Sequence, residues 1–156
     1  MQIKKILWPT DFSKNASAAL PYVQSLTESF QTEVHVLYVI DDLGHHEDPW
    51  YGELDARHLE KIHTWEKQKA QKRLEEICTN YLDGCPLYIK HVEIGDPAHE
   101  ILSLAETEGI DMIVMSSRGR RSHFGFGSVA EKVTRNTAVP VVTVPAEGET
   151  PAPAVQ

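Results

Sequence analysis

The chain has 156 residues, 41% of them hydrophobic and 24% charged, which suits one domain with a core of its own. Its formal net charge of −8 argues against wholesale DNA or RNA binding, because affinity for phosphate backbones rests on clustered Lys and Arg. No apolar run approaches the roughly 18 residues that cross a bilayer, and residues 1–6 carry no signal-peptide pattern, so the expected compartment is the cytoplasm.

Taken in chain order, the hydrophobic pattern alternates between strand and helix. Residues 3–8 are a short apolar run that ends at Pro9. Ala16, Ala19, Leu20, Val23 and Leu26 recur every three or four residues, which predicts an amphipathic helix over residues 13–30. Residues 34–40 form a second apolar run, rich in β-branched side chains. Residues 41–57 follow as a long connection holding His45, His46, Asp48, Trp50 and Tyr51; it reads as a lid or partner contact, or as a variable surface excursion. A long helix is expected over residues 59–83, with Ile62, Ala70, Leu74, Ile77, Cys78 and Tyr81 on its apolar side and Asp83-Gly84 closing it. Residues 87–92 read as the third strand.

Asp96-Pro97 then opens a helix: Asp96 can cap free N–H groups, and proline at the first helical position loses no hydrogen bond. Ile101, Leu102 and Ala105 are its apolar face and Gly109 its end. Residues 112–115 are the fourth strand and residues 139–144 the fifth. Between them, Ser128-Val129-Ala130-Glu131 reads as a capping box that starts a helix running to about Asn136. Residues 146–156 are rich in Pro, Ala and Glu and are expected to be a disordered tail after a single domain over residues 1–145. Five strands separated by four helices imply a parallel sheet with right-handed crossovers and helices on both faces, a Rossmann-like α/β fold. Cys78 and Cys85 form no Cys-x-x-Cys pair and read as one buried thiol and one near a turn.

Ligands of open parallel sheets bind beyond the carboxyl ends of the strands, where strand order reverses. Three such ends stand out. Pro9-Thr10-Asp11 follows the first strand; the Asp11 carboxylate suits an adenine amino group or ribose hydroxyls, or it caps the next helix. Residues 116–128 follow the fourth strand and hold Ser116, Gly119, Gly125, Gly127 and Ser128 together with Arg118, Arg120 and Arg121. Glycines let backbone N–H groups approach an oxyanion, and the helix starting at Ser128-Val129 offers free N–H groups and a positive dipole end. The alternative is a surface loop whose only task is the Ser128 cap. The third end is Val39, whose backbone suits an adenine edge and whose side chain suits the ring face.

Three segments carry a resemblance to a known family. Ile6-Leu7-Trp8-Pro9-Thr10-Asp11-Phe12-Ser13 is similar to the first strand of universal stress proteins, and Gly95-Asp96-Pro97-Ala98 to the start of their third helix. Gly127-Ser128-Val129-Ala130-Glu131-Lys132-Val133 with Pro140-Val141-Val142-Thr143-Val144 resembles their C-terminal signature. The resemblance implies strand order 3-2-1-4-5, a homodimer paired through the last strand at residues 140–144, and ATP held between the ends of strands one and four. Mg or Mn would arrive bound to the phosphates. The family motif is Gly-x2-Gly-x9-Gly-Ser/Thr, and this sequence departs from it twice. Ser116 stands at the first glycine, and only seven residues, Arg120 to Phe126, separate Gly119 from Gly127.

Other chemistries find less support. His45-His46-Glu47-Asp48 has no spacing that fixes a metal, and Ser13, Ser17 and Ser128 have no His-Asp partners visible in the sequence. A P-loop is missing, as are the aspartate and lysine of a phosphoacceptor receiver and the Ser/Thr-rich loop of a flavodoxin. The expected function is a stress or signalling protein that binds an adenine nucleotide and hydrolyses it slowly if at all, because Asp41 is the one conceivable base or magnesium carboxylate near the phosphates. The rivals are a dimeric interaction module whose shortened loop no longer holds ATP, and, further off, a hydrolase of the related adenine-nucleotide fold.

Overall fold

Side chains on a strand alternate between faces, and here that parity sorts the whole core. The computed structural model describes residues 2–42, 56–82, 87–118 and 126–145. Strands β1 (Lys5–Pro9), β2 (Glu33–Ile40), β3 (Leu87–Ile94), β4 (Met112–Ser116) and β5 (Val141–Val144) form one parallel sheet in the order β3-β2-β1-β4-β5, as expected. Ile6, Trp8, Val34, Val36 and Val114 face the layer made by helix α2 (Leu20–Phe30) and helix α3 (Ala56–Tyr81). Leu7, Leu37, Ile113 and Met115 face the layer made by helix α4 (Pro97–Thr107) and helix α5 (Ser128–Asn136). Both faces of the sheet are therefore covered, which is why its strands read as nearly continuous apolar runs. No helix among the described residues is long and apolar enough to cross a membrane.

The helix expected over residues 13–30 is two helices: α1 (Lys14–Ser17) and α2. Pro21 lies in the first turn of α2 and has no N–H to donate to Ser17, so the i to i−4 ladder fails there. Tighter i to i−3 bonds carry the chain across the break, from Ala18 N–H to Asn15 O and from Ala19 N–H to Ala16 O. On α3, Ala70, Leu74, Cys78 and Leu82, which immediately follows the helix, are buried, while Tyr81 turns outward. Cys78 is a buried thiol in the core. Asp96 caps α4 as expected, accepting from the His99 N–H at 3.0 Å. The helix closes at Gly109, whose φ of +64° belongs to the left-handed region. Gly109 N–H donates to Glu106 O and Ile110 N–H to Ala105 O, the bond pair of a Schellman motif.

The capping box at Ser128 is not formed. Gly127 holds the extended N-cap conformation, no side chain caps the helix, and Ser128 is its first residue. Loop closure moved the boundary: Gly127 N–H donates to Ser117 O at 2.7 Å, and Glu131 N–H then takes Gly127 O. The expectations for residues 43–55, Asp83-Gly84, Cys85, Gly125, Arg121 and the tail lie outside the described residues.

Candidate functional site

The chain leaves β1 towards β2 and β3 on one side and returns to β4 and β5 on the other, so the switch point lies between β1 and β4. A cavity of about 550 Å³ opens there. Of the residues singled out from the sequence, Pro9, Thr10, Asp11 and Val39 border it from the β1 and β2 side. Ser116, Arg118, Gly127, Ser128 and Val129 border it from the β4 and α5 side. Asp11 and Ser128 thus face the same crevice, although 117 positions separate them in the chain (128 − 11). Gly119 and Arg120 lie outside the described residues.

Backbone hydrogen bonds set each wall. Thr10 N–H donates to Leu37 O at 2.8 Å, which carries the β1 end over β2. The Thr10 hydroxyl accepts from Phe12 N–H, and Asp11 Oδ1 accepts from Ser13 N–H at 2.9 Å. The helix cap considered for Asp11 belongs to Ser13 instead, whose Oγ accepts from Ala16 N–H. Asp11 stands two positions upstream of Ser13 and borders the cavity.

Val39 is reached by a similar argument. Leu37 points its carbonyl towards β1, and peptide groups along a strand repeat direction every second residue. Val39 therefore turns its N–H and C=O to the same side, but the register of β1 against β2 ends at Pro9 and Leu37. No β1 residue is registered opposite Val39, and its backbone edge faces the cavity mouth.

On the opposite wall, Ser117 N–H donates to Val144 O and Ser117 O accepts from Gly127 N–H. These two bonds pin the start of α5 to the end of β4 and β5. The buried Ser116 hydroxyl accepts from Arg118 N–H at 3.3 Å, so it turns along its own backbone. The first turn of α5, at Ser128 and Val129, presents N–H groups that have no intrahelical acceptor.

Several cavity residues escaped the sequence reading as site residues. Asp96, read only as a cap, also borders the cavity, as do Tyr38 and Lys132. Lys132 had a usable signal, since it stands four positions after Ser128 and so one turn further along the same helix face. Leu37, Ile101 and Met115 supply an apolar wall. The charges divide by side: Asp11, Asp41 and Asp96 come from the β1, β2 and α4 side, Arg118 and Lys132 from the β4 and α5 side. Such a cavity offers acceptors to hydroxyl or amino groups at one end and donors to an anion at the other.

A second polar cluster lies on the α4 face of the sheet, clear of the cavity walls. Fully buried His35 places Nδ1 2.9 Å from His91 Nε2 and Nε2 2.6 Å from Glu33 Oε1. The two rings stack at 5.1 Å. Burial lowers the His91 pKa below 6.5 and the neighbouring His35 lowers it further, against the opposing pull of Glu108 and Glu93.

Comparison with known proteins bears on the whole chain. A sequence model described as the universal stress protein family matches residues 2–145. Universal stress protein MJ0577 of Methanocaldococcus jannaschii is 32% identical over 152 residues, covering 90% of this chain and 94% of that protein. The solved structure of MJ0577 superposes with a TM-score of 0.83 at 29% identity, covering 96% of this chain and all of that one. At the level of fold alone, an Archaeoglobus fulgidus universal stress protein in complex with dAMP aligns with a TM-score of 0.64 at 18% identity, over 92% of this chain and 99% of that one. A universal stress protein in complex with cAMP aligns at 0.61 and 17%, over 94% and 99%. With its sheet order, its switch-point cavity and a family match over residues 2–145, the chain belongs to the universal stress protein family.

Proposed function

We propose that this protein binds an adenine nucleotide, ATP foremost, in the switch-point cavity and acts as a nucleotide-responsive stress or signalling protein. The observation that carries the reading is the division of charge around one cavity of nucleotide size: three carboxylates on one wall, two cations and a helix N-terminus on the other. Adenine and ribose would lie against Asp11 and the Val39 backbone edge. The phosphates would lie on the amides of Ser128 and Val129, since the Gly127 amide is bonded to Ser117 O, with Arg118 and Lys132 neutralising charge and Gly119 and Arg120 contributing from the loop. Two proteins of the same fold, solved in complex with cAMP and dAMP, support this class of ligand.

The donor set fits a polyphosphate, and a bound Mg or Mn ion would supply further neutralisation between its oxygens. The part of this chain is to bind and orient the nucleotide. A second copy would pair along β5, which lies at the end of the strand order and is joined only to β4 among the described strands. We place the protein in the cytoplasm.

Thermal unfolding with ATP, AMP, cyclic AMP and dAMP tests the reading. A ligand at a hundredfold excess over its dissociation constant stabilises the native state by about 2.7 kcal/mol, an upward shift of roughly 8 °C for a chain of this length. A flat melting temperature at millimolar concentrations of all four, with and without Mg, would overturn it. That outcome would favour an interaction module that binds no nucleotide.

A further inference from the structure

The turn between β1 and α1 contains a residue in a conformation that its side chain disfavours. Phe12 has a φ of +62°, in the left-handed region that glycine enters freely and a bulky L-residue rarely does. Such a conformation persists when its surroundings over-determine it. Here they do so through backbone and ring together. The amides of Thr10, Phe12 and Ser13 are each bonded, to Leu37 O, Thr10 Oγ1 and Asp11 Oδ1. The Phe12 ring packs on Tyr38 of β2, centroids 4.4 Å apart and planes tilted by 34°. The Arg73 guanidinium of α3 lies 4.3 Å from the Phe12 ring centroid.

We propose that the Arg73–Phe12–Tyr38 stack is a positioning element for the cavity, holding the turn so that Asp11 presents its carboxylate there. The proposal rests on the nucleotide-binding reading above. Three elements far apart in sequence meet on one ring, and the ring belongs to the residue immediately after Asp11. Tyr38 itself borders the cavity, so the stack touches the site on one side and α3 on the other. A glycine at position 12 would take this backbone conformation without strain. What the phenyl ring adds is therefore a tether from α3 and β2 to the turn. Arg73 attracts the face of that ring as a cation over a π system and limits its movement. Arg73 and Phe12 are positioning residues, acting on a ligand through Asp11.

The test uses the full chain with Phe12→Gly, Arg73→Met, Asp11→Asn and the double variant Phe12→Gly/Asp11→Asn. ATP affinity is read by calorimetry and the Ser13 amide by hydrogen exchange. The expected result is an affinity about tenfold weaker for Phe12→Gly, the scale of one misplaced hydrogen bond to a charged group. Arg73→Met should move in the same direction, and the double variant should bind no more weakly than Asp11→Asn alone. Ser13 should exchange faster in both stack variants. Two results overturn the proposal: single-variant losses that simply add in the double variant, or wild-type affinity with wild-type Ser13 exchange. If the wild-type chain binds no adenine nucleotide, the functional reading fails by itself. Ser13 exchange still decides the stack in that case, upholding it if faster in Phe12→Gly and Arg73→Met and overturning it if unchanged.

Discussion

Asp96 has two structural roles that substitution can separate. Its carboxylate caps α4 through the 3.0 Å bond from His99 N–H, and it also borders the cavity. Asp96 is exposed, so water can reach the His99 amide when the carboxylate is removed. The loss in Asp96→Ala is then one cap, about 1 kcal/mol, with no penalty for a buried orphan donor. At about 2.1 cal/mol/K of unfolding entropy per residue, a chain of this length loses roughly 3 °C in melting temperature for that change. Asp96→Asn keeps an acceptor at the same reach and gives up only the charge on the helix dipole, a few tenths of a kcal/mol. Urea unfolding of the three proteins at one pH measures both differences. The Asn variant also alters the charge of the cavity at nearly constant stability, which makes it the useful one for nucleotide titrations. The reasoning is refuted if Asp96→Asn costs as much as Asp96→Ala, or if Asp96→Ala costs nothing. Either result would mean that the acceptor bond at His99 does not stabilise α4.

Two further outcomes follow from the structure. Because the folded pKa of His91 is lowered below 6.5, the unfolded chain binds more protons than the native one in the window beneath that value. Its contribution to stability is complete above 6.5 and drains away as pH falls towards the folded pKa. The urea midpoint should therefore drop on acidification through this window, and drop less in His91→Gln; an identical pH profile in the two proteins would contradict the assignment. Ser128→Ala should leave stability within about 0.5 kcal/mol, because no side chain caps α5. A loss of about 1 kcal/mol, the usual cost of a missing cap, would restore the capping box that the structure lacks.

Much of this protein is written in short-range signals. The β-branched runs of β2 and β5, the periodic faces of α2 and α4, the Asp96 cap with Pro97 behind it and the stop at Gly109 depend on neighbours within a few positions. So does the anion-binding character of a glycine-rich turn that enters a helix. Pro21 was equally visible, and its consequence for the helix ladder explains the split into α1 and α2. The Ser128 reading failed although its local pattern was correct. A bond from Gly127 to Ser117, across a loop that periodicity cannot place, moved the helix boundary by one residue.

By itself, the sequence determined that the chain is an α/β unit with strands covered on both faces, and which turns offer chemistry. Only the tertiary structure decided which turns share a cavity. It set Asp41, Asp96 and Lys132 on the walls, left the Val39 backbone edge beyond the end of β1, and brought Arg73 and Tyr38 onto Phe12. It also joined His35 to His91 across neighbouring strands. The reason is physical: helix and strand preferences are local, whereas a site assembled from β1, β2, β4, α4 and α5 exists only once strand order and register have been chosen among many pairings.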